Sequence, residues 1–137
     1  MHVATGAAAG AAVRSPVVAA LLGIPLHLAA DGIPHRDLHN RRFEIGSGLA
    51  LTGLLAARRG LFDAATVGAL AASAPDVEHI VRLPRPGGSK LFHGRRGWHR
   101  RGGLSTRTQL LVSGFLIGVL LSGRSATSGH VPRVGET

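Results

Sequence analysis

Cysteine is absent from the 137-residue chain, so disulfides, thiolate metal sites and cysteine nucleophiles are all excluded. Tyrosine is absent too, aromatics amount to 4%, and the single Trp98 lies in a loop. So few rings build no base-stacking platform, and the formal charge of +9 therefore does not point to nucleic acid. Charged residues make up only 17% of the chain, below the roughly 25% of ordinary soluble domains. Long hydrophobic runs are missing as well: the apolar stretches at 17–30, 45–57, 61–74 and 110–121 are shorter than the roughly 20 residues that cross a hydrocarbon core upright. No Gly-x-Ser-x-Gly elbow, P-loop or dinucleotide fingerprint occurs, which leaves serine hydrolase, nucleotide hydrolase and Rossmann readings without support.

What the chain does have is alanine, glycine and arginine. Hydrophobic residues reach 45%, and 16 basic residues, all but Lys90 arginine, stand against 7 acidic ones. A mean hydropathy of +0.21 with so little charge argues against a free-standing soluble protein, and an anionic membrane surface is the partner the charge fits. Small residues interleave with Leu and Val, as at Ser47, Gly48, Thr52 and Gly53, which suits close helix contact in lipid. The same stretches also permit a buried four-helix bundle in water, although they lack the polar face such helices carry.

The pattern predicts an all-α fold, a small up-and-down membrane bundle of four to five short helices over 2–13, 16–31, about 43–57, 61–74 and from about 106. Residues 1–123 form one domain with loops at 31–44 and 75–105, and 124–137 form a polar, disordered tail. No sheet is expected beyond an incidental hairpin within 84–103. Laid up and down, the helices bring His2, His27, His35, His39, His79, His93 and His99 to one end, together with Asp31, Asp37, Asp76 and Glu78. That end also carries eleven basic residues against five at the other, so the positive-inside rule puts it in the cytoplasm of a bacterial inner membrane.

Three constellations carry the chemistry. In His27-Leu-Ala-Ala-Asp31 a spacing of four stacks both side chains on one helical face, and Gly32-Ile33-Pro34 lets His35 and Asp37 fold back to the same space. The plain alternative is a His–Asp hydrogen bond joining two helices. In Pro75-Asp76-Val77-Glu78-His79 the proline opens a helical turn with Asp76 and His79 on one face; here the alternative is a Ser73-x-x-Asp76 cap. In His93-Gly-Arg-Arg-Gly-Trp-His99 the glycines let a loop curl both histidines inward, with Arg36, Arg95, Arg96 and Arg100 near enough to hold a phosphoryl group. A solvated basic loop is the alternative there.

These motifs, with His2 before Thr5-Gly6, resemble small bacterial integral membrane proteins carrying His-x-x-x-Asp-x-x-Pro-His-x-Asp and Pro-Asp-x-x-His. More loosely, Pro75-Asp76-Val-Glu-His79 and His93-Gly-Arg-Arg-Gly-Trp-His99 are similar to the Pro-Asp-x-Asp-His and His-Arg-Gly-x-Thr-His signatures of inner-membrane metal-dependent hydrolases. There the His-x-x-x-Asp segment follows the other motifs, whereas here it precedes them, and Trp98 replaces a threonine. Over residues 2 to 122 the resemblance implies a helical membrane protein with a metal site.

Imidazoles and carboxylates without thiolate suit zinc first, with manganese or iron as alternatives. The expected ligands are His27, Asp31, His35, Asp76 and His79, with His2, Asp37, His93 and His99 joining them or lying just behind; Asp37 or Glu78 would act as general base. His39 and His130 share no helical face with the rest. Two functions follow: hydrolysis of a phosphate or ester bond in an anionic, lipid-like substrate, or non-catalytic holding or transport of a metal ion.

Overall fold

The computed structural model describes residues 1–36, 40–94 and 102–123. Five α-helices account for most of them: α1 (His2–Val13), α2 (Pro16–Asp31), α3 (Arg41–Arg59), α4 (Ala64–Ser73) and α5 (Thr106–Ser122). A 3₁₀ helix over Ala74–His79 continues α4, and a shorter one covers Pro86–Gly88. Among the described residues there is no strand, only an isolated parallel bridge between His35 and Leu104. The all-α expectation therefore holds.

Side-chain caps set most of the boundaries. Ser15, Asn40, Asp63 and Ser105 each accept a backbone N–H from the first turn of the helix that follows. Asp63 is why α4 starts at Ala64 instead of Leu61, and Asn40 is why α3 starts two residues before the expected Phe43. Between α1 and α2 the chain reverses through Arg14, held in the left-handed region at φ 56°.

The hub is α4, which packs against α1, α2 and α3. Its contacts are made by small residues at four-residue spacing: Gly6 and Gly10 of α1 lie against Ala64, Gly68 and Ala72, and Gly23 of α2 lies against Ala71 and Ala72. A methyl group added at Gly68 would collide with the Gly6 carbonyl, so the two backbones touch. Among the described residues the buried apolar interior is accordingly Ala4, Ala7, Ala19, Ala30, Ala64, Ala65, Ala69 and Ala72, with Leu55 and Ile117 the only large aliphatic residues in it.

Large apolar side chains are on the outside. Val17, Leu21, Leu49, Phe62, Leu111 and Phe115 are between 68% and 81% exposed. This inverts the usual order of a water-soluble domain, in which large aliphatic and aromatic side chains fill the interior. The expected membrane bundle meets a constraint of length: no helix among the described residues is long and apolar enough to cross a membrane.

Glycine-to-alanine substitutions test the packing by sign. At Gly53 and Gly114, where an added methyl meets nothing, alanine should stabilise by about 0.5–1 kcal/mol through helix propensity. At Gly6 or Gly68 it should instead destabilise by about 1–3 kcal/mol, because the α1–α4 contact is already closed. Thermal unfolding in detergent followed by circular dichroism reads both; stabilisation at Gly68 would refute the close contact.

Candidate metal centre

Four segments converge at the end of the bundle where α1 begins and α2 and α4 end. The last turn of α2 supplies His27 and Asp31, one helical turn apart, with His27 Nε2 3.4 Å from Asp31 Oδ2. The start of α1 lays the His2 ring on that of His27, centroids 4.0 Å apart, and brings His2 Nε2 within 3.3 Å of Asp31 Oδ1. At the end of α4 the Ala72 carbonyl accepts from His27 Nδ1 at 2.7 Å, using one of the acceptors that a helix end leaves over. The 3₁₀ helix then carries Asp76, Glu78 and His79, and the loop after it returns His93.

The 3₁₀ geometry decides which side chains face inward. With three residues per turn, Asp76 and His79 eclipse, and both offer donor atoms within 4.8 Å of His93. Ser73 does not cap this helix; its hydroxyl donates to the Ala69 carbonyl at 2.9 Å. Glu78 points the other way and clamps the loop. Its Oε2 accepts the Phe92 N–H at 3.1 Å, and its Oε1 accepts the His93 N–H at 2.7 Å and His93 Nδ1 at 2.6 Å. Burial alone would raise the Glu78 carboxyl, but the two backbone donors and the His93 ring outweigh it and hold the group at about 2.

These bonds fix the tautomers. A carbonyl on His27 Nδ1 and a carboxylate on His93 Nδ1 accept, so both nitrogens carry the hydrogen and each ring, when neutral, turns its Nε2 lone pair to the centre. The two Nε2 atoms are 3.2 Å apart. Asp31 Oδ2 lies 3.4 Å from each, and Asp76 Oδ1 lies 3.7 Å from each. His2 Nδ1 is buried without a hydrogen-bond partner among the described residues. Acceptors face acceptors, and only a cation can close such an arrangement.

Proton and metal ion are the two cations to weigh. Asp31 foremost and then Glu78 raise the His93 ring above its ordinary value against the effect of burial, so the pocket attracts either. A proton shared between the two Nε2 atoms at 3.2 Å satisfies that pair, while Asp31 and Asp76 stand at 3.4 and 3.7 Å from both. A tetrahedral ion with bonds of about 2.0–2.1 Å holds its ligands about 3.3 Å apart, which is the observed spacing of His27, His93 and Asp31. Three overlapping donor sets could hold a metal ion: His27, Asp31 and His93; His2, His27 and Asp76; and Asp76, His79 and His93.

Of the expected ligands, the structure gathers His2, His27, Asp31, Asp76, His79 and His93. His35 lies one ring further out, its centroid 6.5 Å from that of His2 and its Nδ1 donating to the Ile33 carbonyl at 2.7 Å. It belongs to none of the three sets among the described residues, although it is buried, and its backbone pairs with that of Leu104. Glu78, expected as a general base, has Oε2 engaged by the Phe92 N–H and Oε1 by the His93 N–H and ring. Arg36 is exposed, and its backbone ties to Leu104 and to the Gln109 side chain. Asp37, Arg95, Arg96, His99 and Arg100 lie outside the described residues.

Two residues were not anticipated. Lys90 Nζ meets His79 Nδ1 at 2.8 Å, and Arg41 donates to the His79 carbonyl. A signal for the first was present, since Lys90 is the single lysine among sixteen basic residues. Comparison with family models, with curated proteins and with solved structures gives no match.

Replacing Glu78 by Gln removes the anionic acceptor and should cost about 1.5–3 kcal/mol, the range for hydrogen bonds to charged groups. Because the folded carboxyl lies at about 2 and the unfolded one near about 4.3, this contribution is full above the unfolded value and fades as pH falls through the folded one. Denaturation midpoints of wild type and Glu78→Gln should therefore differ by a constant at neutral pH and converge toward pH 2. A difference that persists undiminished in acid would refute the clamp.

Proposed function

We propose that the protein is a membrane-embedded, metal-dependent hydrolase acting on a phosphate or ester bond of a lipid-like, anionic substrate. The observation that carries this reading is the closure of His27 Nε2, His93 Nε2 and Asp31 Oδ2 on one another at 3.2–3.4 Å. A nitrogen and oxygen donor set of this spacing suits zinc best, with manganese or iron next. When bound, such an ion polarises a substrate oxygen and makes water a nucleophile near neutral pH.

The chain's own residues divide the remaining work. His27 and His93 are held in one tautomer by Ala72 and Glu78, an arrangement that raises ligand basicity and fixes ring direction. His27 and Asp31 are sealed at the back, whereas the Asp76 side chain is 45% exposed, so substrate arrives on the Asp76 side. With Glu78 engaged, Asp76 is the described carboxylate placed to take the proton from the attacking water. Asp37 remains the alternative base. Lys90 and Arg41, beside His79, together with Arg36, Arg95, Arg96 and Arg100, supply the positive charge that an anionic substrate requires.

Membrane embedding is supported by the inverted packing, with alanine and glycine inside and large apolar side chains outside. Helices of 10 to 19 residues imply that flanking residues enter the apolar layer or that the bilayer thins around them. The basic motif end then faces the cytoplasm. The second reading, a structural or transported metal without catalysis, is favoured by one observation, the complete burial of the His27 side chain.

Two variants separate the readings. His27→Ala should abolish bound metal in detergent-purified protein, measured by elemental analysis. Asp76→Asn keeps a ligand oxygen but accepts no proton; it should retain metal while losing hydrolysis of phosphatidate in mixed micelles by about 100-fold or more, the usual contribution of a general base. Full metal in His27→Ala would remove the metal reading, and metal without hydrolysis in the wild type would establish the second one.

A further inference from the structure

Residues 80–89 belong to none of the donor sets of the metal centre, yet the chain holds them in a defined shape. The two ends of this segment are pinned together: Glu78 accepts the Phe92 and His93 N–H groups at 3.1 and 2.7 Å, and Lys90 Nζ meets His79 Nδ1 at 2.8 Å. Ends held this close make it a compact surface loop of the Ω kind. The Val77 carbonyl accepts the N–H groups of both Ile80 and Val81, which closes the turn leading into it.

The surface of this loop joins aliphatic side chains to arginine. Val77, Ile80, Val81 and Leu91 are 43–61% exposed, and Arg82 and Arg85 beside them are exposed too. Single exposed aliphatics are ordinary, but Ile80 and Val81 are consecutive, and a clustered apolar patch on a loop marks a contact surface. Charge identifies the partner. No aspartate or glutamate occurs from His79 through Gly135, and Glu78 just before is buried against the Phe92 and His93 backbone. The loop therefore shows positive charge alone. Aliphatic side chains that reach acyl chains, with guanidinium groups at the level of phosphate, are the arrangement of an interfacial anchor on anionic lipid.

We infer that residues 77–91 dock on the anionic head-group layer of the membrane, with Ile80 and Val81 in the acyl boundary and Arg82 and Arg85 on lipid phosphates. This rests on the membrane reading above and adds the segment that meets the lipid. Ile80 follows His79 directly, and Asp76 and His79 eclipse on the preceding 3₁₀ turn. A lipid held at Arg82 or Arg85 thus has its head group on the exposed Asp76 side of the centre, so substrate enters sideways from the lipid layer.

Site-specific labelling tests the docking. The chain has no cysteine, so Ile80→Cys and Leu111→Cys each take one fluorescent label, and both positions are exposed, which leaves the interior untouched. The labelled full-length protein is reconstituted in vesicles of phosphatidylcholine, with or without an equal part of phosphatidylglycerol, whose acyl chains carry bromine as quencher. The label at position 111 should be quenched in both. The label at position 80 should be quenched in the anionic vesicles and far less in the neutral ones. An arginine near an anionic surface strengthens association about fivefold. Arg82→Gln, added to Ile80→Cys, should therefore lower the ratio of quenched to unquenched label about fivefold. Quenching at 111 with none at 80 in either vesicle would overturn the docking and leave the loop to water or to a protein partner. Equal quenching at 80 in neutral and anionic vesicles would overturn the anionic partner. Absence of quenching at 111 would instead remove the membrane reading itself.

Discussion

Three donor atoms meeting at one point, His27 Nε2, His93 Nε2 and Asp31 Oδ2, are the constraint to which the rest of the structure is fitted. Each is aimed by something behind it: the Ala72 carbonyl behind His27, the Glu78 carboxylate behind His93, and His2 behind Asp31. Mutual repulsion of acceptors in a partly dry pocket is costly unless a cation is present. The elements that aim them come from four separate parts of the chain, so the cluster exists only in the folded protein.

That convergence depends on close helix packing. His27 reaches the end of α4 because Gly23, one turn earlier, lets α2 lie directly on Ala71 and Ala72. The Gly6–Gly68 contact likewise brings the start of α1, and with it His2, to the same end. An interior of alanine and glycine gives short distances at the expense of apolar burial, since a methyl buries far less surface than a leucine. The displaced leucines, valines and phenylalanines are exposed instead.

Much of this was legible in the sequence. The helix limits followed from Arg, Gly and Pro punctuation, and the pairs His27/Asp31 and Asp76/His79 followed from helical spacing. Other features depend on atoms that no spacing rule sees. Whether Glu78 faces the centre or the loop is decided by the backbone N–H groups of Phe92 and His93, fifteen residues away or nearly so. His35 is buried beside His2, but the pairing of its backbone with Leu104, far along the chain, is not readable from the turn chemistry. Lys90 became visible only once the 3₁₀ turn had brought His79 beside it.

The most direct test of the central claim is X-ray absorption at the zinc edge of the loaded wild-type protein. The account predicts nitrogen and oxygen ligands at about 2.0–2.1 Å with the outer-shell scattering of two imidazoles, reduced to one in His93→Ala. An oxygen-only shell without imidazole scattering would contradict it.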